Sequence, residues 1–387
     1  MRNMQDIDLA GKIVVIREDF NVPIKDGKIS NDKRIRAALP TLRSALAKGA
    51  GLVLLSHLGR PTEGQYEEQF SLKPVATRLS ELLGQPVALA STLEEAKAAP
   101  GQVTLLENIR FLKGEKKNDP ELAARLAALG QVYVMDAFGS AHRAHASTEG
   151  AIRAAKVACS GPLLSAELAA FGKVLDNPKR PLAAIIGGSK VSTKLALLEN
   201  LLEKVDMLIL GGGIANTFLA AAGFGVGASL YEPDLVPAAQ KIMERAKSLN
   251  RSLPLPVDAV TAAKLEAGQK TQTCSVEAIP QDQMILDIGP KTIELYKNLL
   301  QKAATVVWNG PVGAFEIEPF GAGTESLARY LADAKAFVVV GGGDSVAAVE
   351  KYGLADKMGY ISTGGGASLE LLEGKILPSV AALNDKG

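Results

Sequence analysis

Short, uninterrupted runs of apolar residues recur along this chain, and a glycine-rich or polar stretch and then a helix-like segment follow each run. The runs do not alternate with polar residues, which is typical of strands buried on both faces of a parallel sheet. Repeated strand–helix–strand units with right-handed crossovers predict an α/β architecture. The predicted strands cover residues 12–17, 52–56, 103–107, 132–136, 182–186, 207–210, 305–308 and 336–340.

The segments between these strands favour helices, most clearly at residues 32–48, 120–129, 191–203 and 324–334. A further helix is predicted over residues 163–175, where it would form a rigid connector between two halves of the chain. We therefore predict two doubly wound parallel-sheet (Rossmann-like) domains that face each other across a hinged cleft. The predicted domains are residues 1–168 and 169–366, and the tail from about residue 367 to 387 is expected to pack back on the first.

Composition narrows the class of protein. A chain of 387 residues is long enough for two or three domains. Its 43 Lys and Arg residues nearly balance 42 Asp and Glu residues, and a net charge of +1 argues against a protein that coats nucleic acid. No apolar run reaches the ~18 residues of a membrane span, and the first residues lack the apolar core of a signal peptide. With only Cys159 and Cys274, we expect a cytoplasmic, reduced protein without a nucleic-acid or membrane partner.

Polar side chains cluster at the predicted carboxyl ends of the strands in the first half, where open parallel sheets bind ligands. A guanidinium can hold a carboxylate or phosphate through two parallel hydrogen bonds, and Asp and Asn oxygens accept from hydroxyl groups. The set therefore predicts a site for a phosphorylated hydroxy acid, with ordinary surface ion pairs as the alternative. Its members are Arg17, Asp19, Asn21, His57, Arg60, Asn108, Arg110, Asp136 and Arg143.

Glycine clusters follow the strands of the second half, at residues 187–188, 211–213, 310–313, 341–343 and 364–366. Glycine permits close backbone approach, and free amides at a helix start favour phosphate. Lys190 and Lys194 would share one helix face and reach one polyphosphate, unless the cluster is only a tight turn before a surface helix. Asp344 follows three glycines, where it could hold Mg²⁺ or simply cap a helix.

Several common motifs are missing. No Walker A loop occurs, and the one dinucleotide-type match, residues 223–228 (GFGVGA), follows a helix-like segment instead of a strand. The three histidines are too few and poorly spaced for a zinc site, and there is no Gly-x-Ser-x-Gly elbow of a serine hydrolase.

Nine ordered motifs resemble those of the phosphoglycerate kinase family of bacterial length, and they extend across both halves of the chain. Ser140 and Ser345 stand where that family often has threonine, so the hydroxyl is kept. The motifs are residues 17–23 (REDFNVP), 56–61 (SHLGRP), 107–111 (ENIRF), 136–143 (DAFGSAHR), 187–194 (GGSKVSTK), 211–216 (GGGIAN), 308–313 (WNGPVG), 341–344 (GGGD) and 362–366 (STGGG).

The resemblance implies a role for each matching residue. The residues that would hold 3-phosphoglycerate are Asp19, Phe20, Asn21, Arg34, His57, Leu58, Gly59, Arg60, Arg110 and Arg143. The nucleotide would contact Lys190, Lys194, Glu316, Gly342, Gly343, Asp344 and Ser345, with Glu316 at the ribose and Asp344 serving magnesium. The catalytic residues would be Arg34, Lys190 and Gly366. Inspection of strand ends alone does not find Arg34 or Glu316.

The implied reaction is reversible transfer of the acyl phosphate of 1,3-bisphosphoglycerate to MgADP, which gives 3-phosphoglycerate and ATP in glycolysis and gluconeogenesis. In the reverse direction the nucleophile is a carboxylate that is already ionised at neutral pH, so no general base is needed. Catalysis should then rest on positioning and on cations around the transferred group, supplied by Arg34, Lys190, magnesium and the amides of residues 364–366. We expect a monomer that closes by hinge bending. Two alternatives stay open, an NAD-dependent dehydrogenase and a non-catalytic hinged anion-binding protein.

Overall fold

The computed structural model describes residues 1–386, which form two compact units. The first combines Met1–Ala169 with the residues from Ile376 onwards, and the second is Ala170–Lys375. Both cysteines are buried and free. None of the helices in the described residues is long and apolar enough to cross a membrane.

The first unit is built on a parallel sheet of six strands in the order β5-β6-β4-β1-β7-β8. Every residue of β4, β6 and β7 is buried, as the continuous apolar runs predict. A separate two-stranded hairpin is formed by β2 and β3. The strands are β1 (Ile13–Arg17), β2 (Ile24–Lys25), β3 (Lys28–Ile29), β4 (Gly51–Leu55), β5 (Val87–Ala90), β6 (Val103–Leu106), β7 (Val132–Met135) and β8 (Ala158–Ser160).

Helices connect these strands and begin and end at recognisable residues. The Asp119 carboxylate accepts a hydrogen bond from Leu122 N (2.8 Å) at the start of α3, and Gly49, at φ +80°, follows α1. The predicted connector is a helix, α5, and its residues extend from the first unit into the second. The helices are α1 (Lys33–Ala47), α2 (Lys73–Leu83), α3 (Pro120–Ala127), α4 (Ala151–Ala154) and α5 (Pro162–Leu175).

The second unit has its own parallel sheet, in the order β10-β9-β14-β15-β16. The predicted α/β class with parallel sheets is therefore confirmed. A three-stranded antiparallel sheet, β12-β11-β13, is an addition that the sequence did not indicate, because β12 is mostly exposed and lacks an apolar run. The strands are β9 (Leu182–Ile186), β10 (Met207–Leu210), β11 (Asp258–Ala262), β12 (Gln272–Ser275), β13 (Met284–Ile288), β14 (Thr305–Asn309), β15 (Phe337–Gly341) and β16 (Tyr360–Ile361).

Seven helices lie wholly within this unit: α6 (Leu195–Lys204), α7 (Gly212–Ala221), α8 (Val236–Ser248), α9 (Pro290–Leu300), α10 (Ala322–Ala332), α11 (Gly343–Lys351) and α12 (Gly366–Leu372). The helix predicted over residues 191–203 begins only at Leu195, so the prediction that Lys190 and Lys194 share a helix face is wrong. Local side-chain hydrogen bonds compete with the helix there. Ser192 Oγ donates to Glu232 (2.5 Å), and Thr193 Oγ1 donates to Lys190 O (2.9 Å).

The last helix, α13 (Pro378–Lys386), belongs to the first unit. Ser379 Oγ donates to Thr148 O (2.6 Å), and Leu383 is 1% exposed. The segment that returns begins at Ile376 and not near residue 367, because α12 is held in the second unit, where Asn200 Nδ2 donates to Leu372 O (2.6 Å).

The tail should stabilise the first unit through its apolar side chains. We expect Leu383→Ala to lower the free energy of unfolding by about 2–4 kcal/mol, since it removes buried methyl groups and leaves a cavity. Ile376→Ala is the matched control, because Ile376 is 77% exposed and should change stability little. Urea unfolding followed by circular dichroism measures both. Equal effects of the two substitutions would contradict the packing of α13.

Candidate functional site

Three neighbouring strands of the first unit end together. In the register of the sheet, Arg17 at the end of β1 is paired with Leu55 of β4 on one side and with Met135 of β7 on the other. The residues that follow these strands, among them Asp19 and His57, therefore lie at one edge of the sheet.

A hydrogen-bonded group forms around Asp19 at this edge. The Arg34 guanidinium donates to both Asp19 carboxylate oxygens (3.2 and 3.1 Å) and to Asn21 O (3.1 Å). Gly59 N donates to Asn21 Oδ1 (2.9 Å), which joins the loop after β1 to the loop after β4. Arg34 thus reaches the edge from the first turn of α1, which explains why strand ends alone do not reveal it.

The loop after β6 completes the group. Asn108 Nδ2 donates to Leu58 O (2.7 Å), and the Arg110 guanidinium donates to Gly59 O. Gly59 has a φ of +59°, and a Cβ there would lie 2.3 Å from the ring of Phe70, so only glycine fits. The side chains of Phe20 and Leu58 are buried in the apolar core. These two residues shape the loops by packing and do not offer their side chains to a ligand.

Positive charge is concentrated at this edge and only partly neutralised. Burial, followed by the charges of Arg143 and Arg17, lowers the pKa of Arg110 to about 10. Burial and the same guanidinium groups hold the pKa of His57 well below its usual range and lower that of His145 to about 4. A cluster of cations that is only partly neutralised is a favourable environment for a small anion.

The other residues predicted for this edge differ in exposure. Arg143 is half-buried and close enough to lower the pKa of His57, whereas Arg60 is exposed. Asp136 has a structural role, because it accepts from Thr41 Oγ1 and from Leu164 N (2.9 Å) at the start of α5.

The second unit has its switch point between β9 and β14, the strands at which the order along the sheet reverses. Lys194 lies there, and its ammonium donates to Gly187 O (2.7 Å) and Asn309 O (3.0 Å) at the ends of these strands. Burial lowers the pKa of Lys194 to about 8, although the nearby Asp344 carboxylate opposes the shift. The ammonium is therefore held at the position in an open sheet where ligands bind.

Most glycines around this switch point are required by packing. A Cβ on Gly187 would lie 1.8 Å from Pro311 O, one on Gly213 2.2 Å from Ser189 O, and one on Gly310 2.2 Å from Gly187 O. These loops contact one another backbone to backbone. By contrast, a Cβ on Gly343 would meet no heavy atom within 4 Å. Open space beside a glycine is also found at Gly365, directly before α12.

The start of α11 holds the residues of the GGGD motif. Gly342 has a φ of +90° and precedes the helix, while Gly343 and Asp344 are exposed in its first turn. Ser345 is fully buried, and its Oγ accepts from Gly310 N (2.5 Å). Its hydroxyl therefore fixes the loop after β14 and is not directed to solvent.

Three more predicted residues are exposed on separate segments: Lys190 follows β9, Glu316 lies between β14 and α10, and Gly366 is the first residue of α12. The dinucleotide-type match at residues 223–228 follows helix α7, so it lacks the preceding strand that such a site needs.

The Asp344 carboxylate suits a magnesium ion that is bound together with phosphate. Among the described residues, no group of three or more His, Cys, Asp or Glu side chains could hold a metal ion. Mg²⁺ commonly binds through one or two carboxylates together with phosphate oxygens, and it does not need an all-protein cage. The exposed Asp344 carboxylate, next to the open Gly343 in the first turn of α11, fits that mode.

The chain is similar to known proteins over almost its whole length. A sequence model of the family Phosphoglycerate kinase matches residues 4–375. The phosphoglycerate kinase of Desulfovibrio desulfuricans is 77% identical over 383 residues, covering 99% of this chain and 98% of the relative, and that of Nitratidesulfovibrio vulgaris is 56% identical over 384 residues, with 99% and 98% covered. The structure of phosphoglycerate kinase from Coxiella burnetii superposes with a TM-score of 0.95 at 51% identity over 99% of both chains. The chain belongs to the phosphoglycerate kinase family.

Proposed function

We propose that the arginine-rich edge of the first unit binds 3-phosphoglycerate and that the switch point of the second unit, with the start of α11, binds MgADP or MgATP. The chain is an enzyme of the phosphoglycerate kinase family and transfers a phosphoryl group between 1,3-bisphosphoglycerate and ADP. The assignment of the two sites rests on one observation, which is that the two sheet edges carry different chemical groups. One sheet edge holds the clustered guanidinium groups, and the other holds a lysine together with the open Gly343 at the start of α11.

The first edge suits each group of 3-phosphoglycerate. The charge of Arg143 contributes to the lowered pKa of Arg110, so a dianionic phosphate there would relieve cationic repulsion. Asp19 and Asn21 supply oxygen acceptors for the substrate hydroxyl. Arg34 bridges these two residues and would meet the carboxylate side of the ligand.

The second edge suits a nucleotide. Lys194 would pair with a phosphate, while the amides of Gly342 and Gly343 permit close approach of phosphate oxygens. Asp344 would hold Mg²⁺, which neutralises phosphate charge when bound. Glu316, exposed on the loop between β14 and α10, is proposed to contact the ribose. Ser345 acts through the loop that it fixes and not through its hydroxyl at the ligand.

The reaction requires positioning more than proton transfer. The attacking group of 3-phosphoglycerate is a carboxylate that is ionised at neutral pH, so no residue has to remove a proton. Arg34 and Lys190 are proposed to stabilise the charge on the transferred phosphoryl oxygens, together with the backbone at Gly366. A coupled assay with ATP and 3-phosphoglycerate tests the activity directly. Hinge closure, a monomeric state and a cytoplasmic location stay predictions.

Substitutions should separate binding from catalysis. Lys190→Ala and Arg34→Ala should lower kcat by roughly 10³-fold or more, because each removes a cation from the transferred group. Arg110→Ala should mainly raise KM for 3-phosphoglycerate, by about 10- to 100-fold, since it removes a charged hydrogen bond to the non-reacting phosphate. Steady-state kinetics measure both parameters. A folded Lys190→Ala enzyme with near-normal kcat would remove that residue from the mechanism.

Asp344→Asn should weaken binding of the magnesium nucleotide and leave 3-phosphoglycerate binding intact, because the two ligands are assigned to different units. Isothermal titration with each ligand separately measures this. Asp333→Asn is a suitable control, since Asp333 is an exposed acid of the same unit at the end of α10. Equal losses for both ligands would contradict the assignment.

The pH dependence of nucleotide binding should follow Lys194. Its pKa of about 8 means that the ammonium loses its proton as the pH rises through that value, and its attraction to phosphate is lost with the proton. We expect KM for ADP to increase from about pH 7 to about pH 9. Lys194→Arg should remove this increase, because a guanidinium stays charged throughout that range. A flat profile in the unaltered enzyme would contradict the role of Lys194.

A further inference from the structure

Four buried side chains form a line of hydrogen bonds behind the arginine-rich edge: Glu115, Ser147, Arg17 and His57, each 5% exposed or less. Ser147 donates to Glu115 twice, from Oγ to Oε1 (2.6 Å) and from N to Oε2 (3.0 Å). Arg17 Nε donates to Ser147 Oγ (2.9 Å). The far side of the same guanidinium, Nη2, faces His57 Nδ1 at 3.3 Å.

The direction of each hydrogen bond follows from the chemistry of the groups. A guanidinium has only donors, so Nδ1 of His57 must accept from Arg17 and carries no proton. The ring is neutral at neutral pH, because burial and the surrounding guanidinium groups hold the pKa of His57 well below its usual range. A neutral imidazole has one proton, which must then reside on Nε2.

Arg17 cannot readily turn away from this contact. Its Nε is held by Ser147, and its Nη1 donates to Glu18 O, so the guanidinium plane is fixed at two points. The Ser147 hydroxyl cannot reverse its direction, because it donates a hydrogen bond to Glu115 Oε1. The Ser147 amide donates to Glu115 Oε2 and holds the two residues together. If the proton of His57 lay on Nδ1, two donors would face each other in a buried place.

We propose that Glu115, Ser147 and Arg17 are positioning residues that hold His57 as the neutral tautomer with its proton on Nε2. His57 then presents one hydrogen-bond donor to an anion without adding another charge to a crowded cationic site. The identity of the anion, 3-phosphoglycerate, rests on the proposed function. The tautomer of His57 is a property of the free protein and does not depend on it. It therefore has a test that does not depend on binding.

The tautomer can be read directly in the unaltered full-length protein by long-range ¹H–¹⁵N correlation of the imidazole rings. The chain has only three histidines, and the spectrum of His57→Gln assigns the signals of His57. We expect a pyridine-like nitrogen at Nδ1 and a pyrrole-like nitrogen at Nε2 at neutral pH. A protonated Nδ1, or a doubly protonated ring, would overturn the proposal.

The role of the buried line is tested with Ser147→Ala, which removes the acceptor of Arg17 Nε. We expect a mixture of the two His57 tautomers and a severalfold higher KM for 3-phosphoglycerate, with a smaller change in kcat. Ser71→Ala is the matched control, because Ser71 is also buried and its Oγ donates to a carboxylate, Glu107 Oε2 (2.7 Å), in the same unit. It should leave the His57 signals unchanged.

The outcomes separate this proposal from the proposed function. Addition of 3-phosphoglycerate that leaves the His57 signals of the unaltered protein unmoved would contradict its binding at this edge, whatever the tautomer. An Nε2-protonated ring that persists unchanged in Ser147→Ala, with KM equal to that of Ser71→Ala, would overturn the positioning role. Arg17→Met provides a second variant, since it removes the donor to Nδ1 and should give the same mixture of tautomers.

Discussion

Burial of parallel strands on both faces is the constraint on which the rest of this structure depends. Such strands carry few polar side chains within the sheet, so most of the chemistry of each unit lies at the carboxyl ends of the strands and in the loops that follow. The register of β1 with β4 and β7 brings Arg17, Leu55 and Met135 level with one another. Residues far apart in sequence, such as Asp19 and His57, are thereby placed at one edge.

Repulsion between like charges destabilises the first unit at the edge that holds Asp19 and His57. Several guanidinium groups lie together, and burial and mutual repulsion lower the pKa of Arg110 to about 10. Local hydrogen bonds offset part of this repulsion, including those of Arg34 with Asp19 and of Arg17 with Ser147. The incomplete compensation is what makes an anionic ligand favourable, since the ligand supplies the missing negative charge.

The second unit reaches a phosphate-binding arrangement by different means. Loops after β9, β10 and β14 pack backbone to backbone, which requires glycine at Gly187, Gly213 and Gly310. This close packing leaves Lys194 half-buried and provides the carbonyls that hold its ammonium. The lowered pKa of Lys194 is therefore a consequence of the glycine loops. Gly343 differs from them, because it is exposed at the start of α11 and a Cβ there would meet no heavy atom within 4 Å.

The sequence by itself determined the α/β class, the positions of the main strands and the division between an arginine-rich and a glycine-rich set. Continuous apolar runs and the residues directly after them are local signals, and they need no knowledge of tertiary contacts. Local signals also located α5 and the boundaries of α1, α3 and α10 to within two residues. The polar, exposed strand β12 has no such signal, and the sequence did not indicate it.

Tertiary structure alone decided which of these residues act together. Arg34 joins the edge because the first turn of α1 lies against the loop after β1, where Arg34 binds Asp19. Ser345 is turned inward, where its Oγ accepts from Gly310 N. The turn at Lys190 replaces a helical turn because Glu232, distant in sequence, binds Ser192. The line of hydrogen bonds from Glu115 to His57 likewise joins four separate segments of the chain. The direction of each hydrogen bond depends on which donor meets which acceptor. Long-range hydrogen bonds carry no periodic signal in the sequence, so only the folded chain reveals them.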